Sequence, residues 1–235
     1  MKKRIWIITG LALAVFILTT GILLVKRKIW FVSPNENIYQ VRGLDISHHQ
    51  GEIDWDRVDP EYRFVFVKAT EGDTFRDKRF LENIEGIKRT NRIAGAYHFF
   101  HFNYSGIEQA DNFIRTVGDL IQLPPVVDFE YSGNPSEYDR EILIRELRAC
   151  IERLETHYCR RAIIYTTPTA YRQIIQGHFD SPLWYRSIIL PVKRNMKNLV
   201  FWQYHNSAVI EGVNTIVDLN VFKGTLEELR AMVTD

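Results

Sequence analysis

Short apolar runs alternate along this chain with stretches in which apolar residues recur every three or four positions, and the two periods separate strands from helices. Eight runs have strand character: Val41 to Asp45, Phe64 to Lys68, Ile93 to Phe99, Val126 to Glu130, Ala162 to Tyr165, Leu183 to Arg186, Leu199 to Tyr204 and Thr215 to Asp218. Between them lie helical faces with recognisable start signals. Thr74 precedes Phe80, Leu81, Ile84 and Ile87, and Ser105 with Glu108 has capping-box spacing ahead of Ala110, Phe113, Ile114 and Val117. Ser136 with Asp139 opens onto Ile142, Leu143, Leu147, Ile151 and Leu154, and Thr225 with Glu228 onto Leu226, Leu229 and Val233. A weaker helical stretch covers Thr169 to Gln176. Strands alternating with helices predict a parallel sheet, and eight strands within roughly 195 residues predict a closed β/α barrel rather than an open doubly wound sheet. No Gly-rich phosphate loop supports the open sheet.

The amino terminus departs from this pattern. Ile5 to Val25 is twenty-one residues without a charge, bracketed by Lys2-Lys3-Arg4 and Lys26-Arg27-Lys28. That length matches a hydrocarbon core of ~30 Å, and the run closes on Leu23-Leu24-Val25 without the small-residue pattern of a cleaved leader. The expectation is therefore one transmembrane helix over about 5–25, within a basic amino-terminal segment 1–28. A polar spacer with Pro34 follows over 29–40, and the barrel fills 41–235. The two basic clusters nearly balance and do not orient the helix. Formal net charge is +1, with no polyanion-binding stripe, so nucleic acid is not an expected partner. The two cysteines, Cys150 and Cys159, either bridge in an oxidising compartment or stand as two buried thiols. Nothing has zinc-site spacing, and adjacent His48 and His49 in an extended segment would face opposite ways, so no metal or cofactor is expected.

A barrel gathers its chemistry at the carboxyl ends of its strands. In Val126-Val127-Asp128-Phe129-Glu130 the two acids share one face, and like charges held close raise at least one pKa. A protonated carboxyl beside an ionised one is what glycoside hydrolysis requires, although the same string by itself is equally a strand running into a polar turn. The other strand ends carry Asp45; Lys68, Thr70 and Glu71; Tyr97 and His98; Tyr165; Trp184 and Arg186; Gln203 and Tyr204; and Asp218.

Six ordered strings then carry a resemblance: Asp45-Ile46-Ser47-His48-His49-Gln50, Lys68-Ala69-Thr70-Glu71-Gly72, Gly95-Ala96-Tyr97-His98-Phe99, Val127-Asp128-Phe129-Glu130, Phe201-Trp202-Gln203-Tyr204 and Val217-Asp218-Leu219-Asn220-Val221-Phe222. Over about residues 41–224 the chain resembles glycoside hydrolase family 25, the Chalaropsis-type and phage or autolysin lysozymes. The resemblance implies a modified β/α barrel and an N-acetylmuramidase that cuts the β-1,4 bond between N-acetylmuramic acid and N-acetylglucosamine in peptidoglycan. It implies Glu130 as general acid and Asp128 as a partner that either stabilises the substrate's acetamido group or positions a water. Asp45 joins them as a catalytic acid. Asp218, Tyr97, His98, Tyr165, Gln203 and Trp184 are implied as substrate-binding, with Trp202 and Tyr204 as further aromatics for sugar faces. Arg186 stands where the family usually carries an Ala-containing string, and it leaves the substrate preference open between tuning the acids and contacting a substrate carboxylate. Peptidoglycan as partner would orient the anchor in a bacterial cytoplasmic membrane, amino terminus inside and catalytic domain in the periplasm or outside. The alternatives are a non-catalytic glycan-binding domain on the same barrel, or a hydrolase of chitin-like chains.

Overall fold

The computed structural model describes residues 2–25 and 32–233, and the chain forms two compact units, Met1–Phe31 and Val32–Asp235. The first unit carries α1, Lys2–Val25. Among the described residues, no helix is long and apolar enough to cross a membrane, which overturns the expected anchor. The bilayer partner and the single-pass localisation rested on that anchor and are withdrawn with it. The basic cluster Lys26-Arg27-Lys28 and spacer positions 29–31 lie outside the described residues.

The second unit is a closed ring of eight strands: β1 Val41–Ile46, β2 Tyr62–Glu71, β4 Ile93–Phe99, β5 Val126–Phe129, β6 Ile163–Thr166, β7 Leu183–Arg186, β8 Leu199–Ala208 and β9 Val217–Phe222. A two-residue strand, β3 (Phe75–Arg76), folds back on the end of β2 as a hairpin. Parallel pairing runs from β1 through β2 and on to β8. The ring closes through β9, which is antiparallel to both β8 and β1. This is an α/β barrel whose last strand is reversed.

Strand alternation divides the apolar residues into two shells. Val41, Phe64, Phe66, Val126, Ile163, Trp184, Phe201 and Phe222 fill the interior, while Leu44, Val65, Val67, Val127, Ile164 and Trp202 face the outer layer. Phe66 stacks on Trp184 at 4.6 Å between centroids and meets Phe201 edge-on at 5.1 Å. Room for these rings comes from two inward glycines: a Cβ on Gly43 would collide with Phe64, and one on Gly95 with Phe66. The aromatic plug closes the barrel and floors the cleft above it.

Around the ring lie α2 Phe80–Arg89, α3 Gly106–Val117, α4 Arg140–Tyr158, α5 Pro168–Ala170 with a π turn Tyr171–Ile175, and α6 Leu226–Arg230. The Thr225 and Glu228 capping box forms as expected. Other starts differ. Asp139, not Ser136, caps α4 by accepting from the amides of Glu141 (2.9 Å) and Ile142 (3.2 Å), because Ser136 falls in a separate 3₁₀ turn. Thr74 belongs to the β2–β3 hairpin, and α2 starts after Arg79. Ser105 makes no side-chain cap; Glu146 on α4 takes the Gly106 amide instead, at 3.0 Å. Leu81 and Ile142 face solvent rather than the core. Val32 and Tyr39 are buried in this unit, Tyr39 lying edge-on to Trp202 at 5.3 Å. Both thiols are free, Cys150 buried and Cys159 exposed.

Candidate active site

Four acids meet at the mouth where the parallel strands end. β1 supplies Asp45 and β5 supplies Asp128, with Glu130 just beyond its last residue; β9 supplies Asp218. They line one cavity of about 190 Å³ together with Ser47, His49, Lys68, Tyr97, Phe99, Tyr165, Trp184 and Gln203. Asp218 does not end the last strand as expected; it is the second residue of β9. Because β9 runs antiparallel, its start lies at this mouth, and the register sets Asp218 directly across from Asp45.

A chain of amides holds this pair. The Tyr165 hydroxyl donates to Gln203 Oε1 at 3.0 Å, which fixes the orientation of the amide. Gln203 Nε2 then donates to Asp45 Oδ2 at 2.9 Å and to Asp218 Oδ2 at 3.3 Å. Asn220 Nδ2 donates to the same Asp45 oxygen at 2.6 Å, and Trp184 Nε1 donates to Asn220 Oδ1 at 2.8 Å. A wall tryptophan and tyrosine thus position the groups that hold Asp45.

Burial raises the pKa of all four acids. At Asp45 the hydrogen bonds from Asn220 and Gln203 counter burial in part. Asp218 is pushed up to about 9, by burial first and then by the Asp45 charge. Asp128 is held well above the usual carboxylate range by burial, then by Glu130 and Asp45, and its buried Oδ1 has no protein partner among the described residues. Burial likewise raises Glu130 against the pull of Arg186 and Lys68. The phenols of Tyr97 and Tyr165 are pushed well up by burial and stay neutral. Such a site retains carboxyl protons near neutral pH, the requirement for a general acid.

The structure does not bring every expected residue here. His98 is wholly buried on the outer side of β4, where its Nδ1 pairs with the Thr70 hydroxyl at 2.7 Å and its Nε2 with Gln109 Oε1 at 3.1 Å. Trp202 and Tyr204 also face the outer layer. Arg186 ends β7 beside Gln203 in register, close enough for its charge to act on all four acids. His48 and His49 occupy a 3₁₀ turn rather than an extended segment, with ring centroids 4.1 Å apart. His48 Nδ1 pairs with buried Asp77 at 2.7 Å, while His49 reaches the cleft.

Sequence reasoning placed Lys68 at a strand end and Asn220 in a family string but gave neither a role in the site. Asn220 is two positions beyond Asp218, so the strand period put it on the same face. Lys68 continues the inward series Phe64, Phe66; its Nζ bonds Glu71 at 2.6 Å and lies 4.9 Å over the Phe99 ring. A larger cavity, about 890 Å³, opens at the other end of the barrel between Arg92, Gln122 and Arg160, without paired carboxylates.

The sequence profile described as glycosyl hydrolases family 25 matches residues 44–213. The chain is 33% identical to Lysozyme M1 of Streptomyces globisporus across 83% of this chain and 72% of that one. Its fold is similar to that of a family 25 glycosyl hydrolase from Bacillus anthracis, with TM-score 0.80, 35% identity, and 88% and 98% of the two chains covered. It is also similar to a bacterial lysozyme from Streptomyces coelicolor, with TM-score 0.72, 31% identity, and 82% and 96% covered.

Proposed function

This chain belongs to the glycosyl hydrolases of family 25 and is a glycoside hydrolase of the lysozyme type acting on peptidoglycan; we propose that it cuts the β-1,4 bond from N-acetylmuramic acid to N-acetylglucosamine, with Glu130 as general acid. The observation carrying this reading is the pair Asp128 and Glu130, which line one cavity at the mouth and are both raised in pKa by burial there. Glu130 gives its proton to the bridging oxygen as the bond from that oxygen to C1 of the muramic acid breaks. Asp128 is the partner carboxylate: its Oδ1, an acceptor buried without a protein partner among the described residues, suits the N–H of the substrate's 2-acetamido group. Accepting that hydrogen bond turns the acetamido oxygen toward C1, where it meets the developing positive charge. Glu130, now ionised, takes a proton from the water that completes hydrolysis, and the cycle closes.

Asp45 faces this pair across the mouth, its Oδ2 fixed by Asn220 and Gln203. Tyr97, Tyr165, Trp184, Gln203, Asp218 and Arg186 shape the subsite. The test is to treat purified peptidoglycan with the protein and with Glu130→Gln, then reduce and identify the new ends. Muramic-acid ends from the wild type, with turnover lost by at least ~100-fold in the variant, are expected. Glucosamine ends would move the reading to chitin-like cleavage, and a fully active Glu130→Gln would remove the acid assignment.

A further inference from the structure

Arg186 is a cation at the rim whose charge acts on the acids but whose guanidinium takes no step in the chemistry above. It closes β7, two positions after Trp184, and so shares the inward side of the strand with that ring. In register it sits beside Gln203, whose amide holds Asp45 and Asp218. It is partly exposed at the rim rather than buried among the acids. Lys68, the other cation here, is tied to Glu71 and to the Phe99 ring. No ion pair or side-chain hydrogen bond among the described residues uses the Arg186 guanidinium, although other partly exposed arginines on the barrel, such as Arg42 and Arg153, find carboxylates at 2.8 to 3.0 Å. A guanidinium presents a rigid fork of donors matched to a carboxylate. Held at the rim without a protein partner, it keeps that fork for a ligand.

We propose that Arg186 is a specificity-determining residue that binds a carboxylate of the glycan substrate, making the cleft prefer anionic over neutral sugar chains. This rests on the muramidase reading, since muramic acid carries a 3-O-lactyl carboxyl that N-acetylglucosamine lacks. The carboxylate has two sources. Glycan stripped of peptide presents the lactyl carboxylate itself, whereas in intact peptidoglycan that group is an amide and the carboxylates belong to the stem peptide.

Binding tests the inference independently of turnover. In a Glu130→Gln background, calorimetry compares three muramic-acid oligosaccharides: with free lactyl carboxylates, with those carboxyls converted to methylamides, and with peptide stems attached. The carboxylate form is expected to bind ~10- to 100-fold tighter than the methylamide, the scale of one charge-assisted hydrogen bond. Adding Arg186→Gln brings that ratio to about one, and Arg186→Lys restores part of it. Tighter binding of the peptide-bearing form, lost with Arg186→Gln, assigns the stem as the source. Equal affinities for carboxylate and methylamide with Arg186 in place, or an equal loss on both when it is replaced, would overturn the proposal and leave Arg186 as a counter-charge for the acids. Carboxylate-selective binding by a protein whose wild type releases no reducing ends would sink the muramidase reading and keep this one.

Discussion

Asp218 offers the sharpest test of how the mouth carries its charge. Its carboxyl faces Asp45 across the β1–β9 pairing, and Gln203 Nε2 donates to both. With its pKa raised from 3.8 to about 9, Asp218 keeps its proton at pH 7 in the folded protein and loses it in the unfolded chain. The sign follows: folding takes up a proton between those two values, so this residue costs nothing below pH 3.8, costs progressively more as pH rises, and costs most above pH 9. The slope for one proton is about 1.4 kcal/mol per pH unit, and the interval from 3.8 to 7 amounts to about 4 kcal/mol. Asp218→Asn supplies a neutral group of the same shape whose amide donates to Asp45 as the protonated carboxyl does. The variant is expected to be more stable than the wild type at pH 7, by up to ~4 kcal/mol. Urea unfolding at half-unit steps from pH 5 to 8 should show a stability difference that grows with pH by about 1.4 kcal/mol per unit. Two parallel curves would refute the reasoning, because they would mean that Asp218 is ionised in the native state.

Two further outcomes follow from groups away from the acids. Burial lowers the His98 pKa from 6.5 to about 4, so its stability contribution is complete above pH 6.5 and is lost as pH falls toward 4, by up to about 3 kcal/mol; His98→Gln should flatten that acid limb in denaturant titrations, and an unchanged limb would contradict it. Gly95→Ala places a methyl against the Phe66 ring that stacks on Trp184, and is expected to lower the unfolding free energy by ~1–3 kcal/mol and to reduce turnover by tilting the cleft floor; a variant matching wild type in denaturant midpoint and in reducing-end release would show that the plug has slack.

Seven of the eight ring strands were legible because short apolar runs buried on both faces stand out without knowledge of neighbours, whereas the last, expected at Thr215 to Asp218, overlaps β9 only at Val217 and Asp218. What the same pattern assigns to a face was used unevenly. Asp128 and Glu130 were placed together by counting in twos, yet the same count from Tyr97 puts His98 on the opposite wall, and from Gln203 it puts Trp202 and Tyr204 there. Those three were expected in the cleft because their strings resemble the family's, which says nothing about parity. Helix starts failed for a different reason. Asp139 and Ser136 both carry acceptors, and the choice between them depends on where the chain leaves its 3₁₀ turn. The anchor was read from hydropathy alone; among the described residues no helix supports a crossing.

The direction of β9 lay furthest from the sequence, because period and polarity read the same along a strand in either sense. Ending that strand at Asp218 left Asn220 outside it, whereas Asp218 and Asn220 are its inward polar positions and the strand runs on to Phe222. Reversal has a chemical consequence. In a barrel closed by a parallel strand, the residues at the mouth come from strand ends; an antiparallel strand enters at the mouth, so its first residues face the site while its later ones descend into the wall. Asp218 thereby meets Asp45 at the mouth, and Asn220, one inward step deeper, reaches Asp45 Oδ2 from below while accepting from Trp184. One reversed strand supplies both the acid that crowds Asp45 and the amide that holds it, which is why the two ends of the ring converge on that carboxylate.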